Sequence, residues 1–366
     1  MHAPADRRGP GPGALEFPDL GATVYPTHVP EGLAEELAPL YSSLLSTPRW
    51  FRLYTDVVAS GAVVLSDPRD ILLFRIDGDT VDVLNRFFEI GPRSTERACQ
   101  ALFRAIPGAR RVHLEVLFPP GDLHLPKRVL YWTDHLVVDL PATVEEYEAG
   151  LGKRTRNNLR NFRNRLGRDF HDFHTEVVVP GDRAAALLDQ LQTWKSARFA
   201  AHGKRTYWEV DKSLSARFLE RVQDGGQAHL TTIDGQVAAV RFFFRVGKTV
   251  FAVQSAFDPR YERYRLGFVS GYLLICDSVR QGAARVNMMW GTDEYKRHLG
   301  AAPVRATLLS VFRSQHARLY SLGEASEVAW RRARRAKRYY WEARHMARRW
   351  IDRGALAATR RRRGGE

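Results

Sequence analysis

Between positions 249 and 300 the chain reads as a strand, a tight loop, an amphipathic helix, a second strand, and then Gly291-Thr292-Asp293-Glu294-Tyr295-Lys296. The loop is Asp258-Pro259-Arg260-Tyr261-Glu262-Arg263-Tyr264-Arg265-Leu266-Gly267. A strand that feeds a helix through such a turn leaves backbone N–H groups pointing at whatever lies above it, which suits a phosphate. Arg263 and Arg265 add charge there, and Gly267 lets the backbone approach closely. Gln254 is a polar residue in the apolar strand before the loop; it either touches a ligand or is a satisfied core amide. A second cluster is purely basic: 153–168 holds seven Lys and Arg and no acidic residue. Arg156, Arg160 and Arg163 either hold a phosphate on a substrate or form a solvated face.

Other chemistries lack their residues. The sequence has no Walker A loop, no His-Glu-x-x-His and no paired Cys-x-x-Cys, and Gly267-Phe268-Val269-Ser270-Gly271 misses the spacing of a nucleophile elbow by one residue. His171 and His174 are three apart with no third ligand indicated, so no metal is expected. Cys99 and Cys276 are far apart at helical positions and read as buried free thiols.

The elements that must position these residues follow from periodicity. Two strand-like runs, 71–76 and 81–88, are joined by Asp77-Gly78-Asp79, and a helix capped by Ser94 or Thr95 follows, then strands at 112–118 and 135–140. The second half echoes that order with a meander over 230–257, a helix over 267–281 and a strand at 285–290. Leu151, Leu159, Phe162 and Leu166 share one face of an amphipathic basic helix between the halves. A further helix over 183–200 contributes Leu187, Leu188, Leu191 and Trp194 to a core. The Gly-Pro run at 9–13 marks 1–30 as a flexible leader.

With 366 residues and 44% hydrophobic content the chain has room for two ordinary cores. No apolar run is long enough to cross a bilayer. The net charge of +15 is concentrated: besides 153–168, the stretch 329–366 carries 14 basic and three acidic residues. There Ala329, Ala333, Ala336, Tyr340, Ala343, Ala347 and Trp350 form a narrow stripe on a basic helix, suited to the protein body, a partner helix or a membrane surface.

In the strand ending Phe257-Asp258-Pro259, the turn Tyr261-x-x-Tyr264-Arg265-Leu266-Gly267, and Gly291-Thr292-Asp293-Glu294-Tyr295-Lys296 with Leu299-Gly300 behind it, the chain resembles the Gcn5-related N-acetyltransferase (GNAT) superfamily. Within it the chain resembles the BioF2-like branch associated with cellulose and exopolysaccharide synthesis, and it is distantly similar to the Fem peptidyltransferases. The resemblance covers about residues 150–315 well and 40–145 by architecture only. It implies an α/β fold of two tandem GNAT-like domains, 31–148 and 149–323, each with a mixed central sheet flanked by helices, and a basic C-terminal tail over 324–366.

The resemblance further implies acetyl-CoA or another acyl-CoA as co-substrate, bound by the second domain. Its thioester arm would lie along the strand at 250–257, near Gln254, and its pyrophosphate would meet Arg263, Arg265 and Gly267. Arg265-Leu266-Gly267 replaces the family's frequent Ser-Pro-Gly, keeping the glycine and adding charge. An acceptor amine would attack the thioester, with Asp293 or Glu294 either as base or as a polar helix cap, Lys296 either facing an anionic group or solvated, and Trp290 and Tyr295 either walling the pocket or packed in a core. The expected function is N-acyl transfer to a cell-envelope, exopolysaccharide or secondary-metabolite precursor, a small-molecule, lipid-linked or nucleotide-linked amine, in the cytoplasm or at the inner membrane surface. The alternatives are a Fem-like transferase using aminoacyl-tRNA, and a non-catalytic GNAT-like scaffold. In the first the basic tail over 329–366 and the basic helix would bind tRNA; in the second the tail would bind an anionic membrane or nucleic acid.

Overall fold

The computed structural model describes residues 13–48, 50, 58–117, 123–201, 203, 205–211, 213–291 and 294–319. Asp293 and the tail from 320 onward, with its helical stripe, lie outside them. The chain divides into two compact units, Met1–Arg313 and Ser314–Glu366.

The first unit is built on one sheet. Its strands are β1 (Leu15–Phe17), β2 (Ala22–Tyr25), β3 (Gly61–Ser66), β4 (Arg69–Asp77), β5 (Thr80–Phe88), β6 (Arg111–Val116), β7 (Lys127–Asp139), β8 (Phe173–Val178), β9 (Gln227–Ile233), β10 (Gln236–Val246), β11 (Thr249–Phe257), β12 (Arg285–Trp290) and β13 (Ala302–Phe312). Its helices are α1 (Leu37–Tyr41), α2 (Pro92–Ala105), α3 (Val144–Gly150), α4 (Lys153–Asp169), α5 (Ala184–Ala200), α6 (Tyr207–Val210), α7 (Ser213–Gln223), α8 (Leu266–Arg280) and α9 (Glu294–His298). In the second unit the described residues form α10 (Gln315–Leu319), with the Ser314 hydroxyl accepting the Ala317 N–H at 3.1 Å.

The expected echo is present in the topology. In each half a three-strand meander, β3-β4-β5 or β9-β10-β11, passes through a helix, α2 or α8, into a parallel strand, β6 or β12, and ends on one long strand. Those last strands are exchanged. The order is β1-β2-β3-β4-β5-β6-β13-β7-β12-β11-β10-β9-β8, so β13 of the second half lies against β6 of the first, and β7 of the first lies against β12 of the second. The antiparallel β7–β13 pair joins them at the centre.

The leader expectation fails for the described part of 1–30. Ala22 and Val24 alternate into the core against Val63, Leu65 and Leu72, and β2 pairs with β3. Alternating apolar residues at a sheet edge gain more from burial than the nearby glycines cost. Helix α2 likewise starts earlier than its polar residues suggest: Pro92 sets the first turn behind Gly91, while Ser94 and Thr95 are buried inside it. Cys99 and Cys276 are both buried free thiols, as expected.

Two layers of helix cover the second half. Val240, Phe242 and Phe244 of β10 face α5 and α7 through Leu188, Leu191, Trp194 and Phe218. Phe243 and Val250 face α8 through Tyr272 and Ile275. Helix α4 lies beside α8, where Leu166 meets Tyr264, Leu266 and Val269.

Candidate functional site

Strands β11 and β12 run parallel but pair only at Thr249↔Arg285, Val250↔Val286 and Phe251↔Asn287. Beyond that rung the facing edges of 252–257 and 288–290 are not bonded to each other, and the sheet forks. The cause lies in β11: its register against β10 jumps from Phe242↔Gln254 to Phe243↔Ala252, making Val253 the extra residue of a bulge. The corresponding strands of the first half behave differently. There β5 and β6 pair from Thr80↔Arg111 to Asp82↔His113, lose register over 83–85, and pair again at Arg86↔Glu115 and Phe88↔Val116. The open backbone edge belongs to the second half.

The chain leaves β11 through a 3-10 turn, Pro259–Tyr264, where the Asp258 carboxylate accepts the Arg260 N–H at 2.9 Å. Arg265 then takes the left-handed conformation, φ 54°, and opens α8. Gly267 is in the first turn of α8, where an added Cβ would stand 2.7 Å from the Phe257 ring. The glycine therefore lets the end of β11 press against the helix start. Beneath this turn Arg241 is 4% exposed; it donates to Ser270 Oγ at 3.0 Å and to the Gly267 carbonyl, with no carboxylate partner among the described residues. A buried, uncompensated guanidinium adds to the positive potential of the helix N-terminus.

Of the residues expected at this turn, Arg265 is exposed and its side chain has no partner among the described residues. Arg263 is engaged: it lies 4.6 Å over the Tyr264 ring and donates to the Tyr264 hydroxyl. Gln254 points to the α5 side, where its Oε1 accepts from Lys195 Nζ at 2.5 Å; that ammonium also lies 5.1 Å over the Trp208 ring. Lys195 was missed in the sequence because nothing local distinguishes it from a solvated helix lysine.

At the tip of β12 the expected residues separate. Trp290 is 42% exposed, beside the fork. Lys296 is buried, and its Nζ donates to the carbonyls of Met288 at 2.9 Å and Trp290 at 3.0 Å. Glu294 is exposed and 3.5 Å from His298 on the next turn. Tyr295 packs on the α8 side, against the cluster that holds Tyr147, Tyr272 and Leu299. Met289 has φ 57°, and its N–H turns back to the Asn287 Oδ1 at 2.8 Å. A non-glycine residue there is a strained position, of the kind that collects at functional sites.

Arg156, Arg160 and Arg163 do come together. With residues of α8 and β8, and with Glu148 of α3 as the acidic member of the lining, they line a pocket of about 520 Å³. The three arginines are not equivalent. Arg156 caps α3, donating to the carbonyls of Ala149 at 2.9 Å and Leu151 at 2.6 Å. Arg163 stacks 5.7 Å over Tyr272 and reaches its hydroxyl at 3.5 Å. Arg160 is exposed and makes no ion pair or hydrogen bond with the described residues. Burial and a hydrogen bond to Glu148 push the Tyr272 hydroxyl well above its ordinary pKa, keeping it a neutral donor.

Residues 153–297 match the family model of the acetyltransferase (GNAT) domain. No curated protein matches the chain. Among solved structures, FemX superposes with a TM-score of 0.58 at 11% identity, covering 81% of this chain and 98% of that one. L-PGS from Bacillus licheniformis gives 0.50 at 13% identity, over 83% and 96%. A conserved protein of unknown function from Bacteroides thetaiotaomicron VPI-5482 gives 0.50 at 11%, over 72% and 90%. At these identities the likeness is one of fold: a mixed α/β architecture with one large sheet flanked by helices.

Proposed function

We propose that the protein is an acyl-CoA-dependent N-acyltransferase whose donor lies in the fork between β11 and β12. The observation that carries this reading is a contrast between the halves: after an interruption at 83–85 the strands of the first half pair again at Arg86↔Glu115 and Phe88↔Val116, whereas those of the second half part after three rungs and do not rejoin. An extended amide-bearing arm can add to those edges as a strand adds to a sheet. Its pyrophosphate then meets the first turn of α8, where Arg265 is exposed and Arg241 supports the charge from below.

The pocket on α4 supports an acceptor carrying an anionic group, with Arg160 and Arg163 as its cations. The acceptor nitrogen attacks the thioester carbon, and Asp293 or Glu294 takes the amine proton in this reading. Lys296 acts by holding the β12 carbonyls in place, so that Trp290 keeps its position at the fork. An exopolysaccharide or cell-envelope amine of the BioF2-like kind fits this division. So does a site of action at an anionic membrane surface, reached through the basic tail.

Calorimetry with acetyl-CoA and with aminoacyl-tRNA tests the donor. Acetyl-CoA binding that weakens in Arg265→Ala supports the proposal. Absence of acetyl-CoA binding together with salt-sensitive tRNA binding would replace it with a Fem-like reading.

A further inference from the structure

We infer that His135 is a hydrogen-bond donor to the ligand in the fork, its Nε2–H facing the carbonyl oxygen of the transferred acyl group; this rests on the acyl-transfer reading above. His135 lies on β7, the strand that the first half contributes, opposite Trp290 at the tip of β12. It is fully buried, with its ring 5.0 Å from that of Phe87 and 5.8 Å from that of Trp290.

Its tautomer follows from partners that have no freedom. The Met289 N–H can only donate, and it donates to Asn287 Oδ1 at 2.8 Å. Asn287 must then turn its NH2 group toward His135, where Nδ2 reaches Nδ1 at 3.4 Å. Nδ1 is thereby the acceptor, and the ring proton sits on Nε2. That Nε2 meets no acceptor among the described residues. A buried donor without an acceptor is destabilising, which makes it a feature that calls for an explanation.

Its position supplies one. Asn287, which orients the ring, is the last residue of β12 paired with β11 before the strands part. Burial, and after it the charge of Lys296, push the imidazole pKa down to about 4, so the ring stays neutral at physiological pH and keeps a single N–H to donate. In the reaction the acceptor nitrogen forms its bond to the thioester carbon and the carbonyl electron pair moves onto oxygen, where Nε2–H stabilises it. Collapse re-forms the carbonyl and breaks the C–S bond, and the amine proton ends on the coenzyme thiol through the base.

The test is NMR on full-length protein labelled uniformly with 15N, titrated with acetyl-CoA. The expected result is a neutral Nε2–H tautomer in the free protein and a downfield shift of that proton on binding, together with shifts of the Gly267 and Phe268 amides. Amide shifts at α8 with an unmoved His135 would overturn this inference and leave the donor reading standing; shifts at neither site would remove both. In turnover, His135→Phe should lower kcat by about 10²-fold with little change in the KM for acetyl-CoA. An unchanged kcat would reduce the ring to a packing element.

Discussion

Asp169, at the last position of α4, accepts a hydrogen bond from the Tyr264 hydroxyl at 3.0 Å, tying the basic helix to the turn that opens α8. Arg263 donates to the same hydroxyl, so a carboxylate, a phenol and a guanidinium form one relay at the edge of the proposed phosphate site. The two clusters that sequence reading treats separately are thus mechanically joined.

The hydroxyl bond from Tyr264, and after it the bond from Arg168, hold the Asp169 carboxyl below its ordinary pKa of 3.8. A depressed folded pKa stabilises the native state above the unfolded value, and that contribution is lost as pH falls through the folded value. Tyr264→Phe should therefore be less stable than wild type at pH 7, and the gap should narrow below about pH 4. Urea denaturation at a series of pH values measures it.

Gly267→Ala places a Cβ 2.7 Å from the Phe257 ring, so ring or helix must move. Overpacking of this kind costs about 1–3 kcal/mol. Thermal melts should show the loss, calorimetry should show weakened acetyl-CoA binding, and adding Phe257→Leu should restore much of the stability.

The pocket arginines should separate in experiment. Arg160→Ala removes a side chain that makes no ion pair or hydrogen bond with the described residues, so stability should change by less than about 0.5 kcal/mol while the KM for an anionic acceptor rises. Arg156→Ala leaves the Ala149 and Leu151 carbonyls at the end of α3 without their donor and should lower stability by about 1–2 kcal/mol. Equal stability losses in both variants would contradict the assignment.

Lys296→Met leaves the Met288 and Trp290 carbonyls without their ammonium donor. The urea midpoint should drop by an amount corresponding to about 1–3 kcal/mol, because the buried Met288 carbonyl loses its partner. Glu294→Gln, at an exposed position, should leave the midpoint unchanged.

Local pattern carried the meander, both crossover helices and the basic helix, because each buries a face repeating at period two or 3.6. Strand β12 was legible to its end residues. Strand β13 was not: Pro303 and Arg305 interrupt its first turns of alternation, and its partners on β6 are remote in sequence. The turn at Arg265 and Gly267 was readable from composition. His135 was not, since its meaning depends on Asn287, 152 residues away. Lys296 was readable as part of a motif, but its burial beneath the β12 carbonyls was not.

The strand exchange also bears on how the chain is made. Strand β6 finds its second neighbour only in β13, on the order of 200 residues later. During synthesis at roughly 5–20 residues per second, the first half waits with that edge bare until the second half has emerged. Its nascent form therefore offers a ready strand acceptor to other chains, a hazard that ends only when β13 pairs with β6.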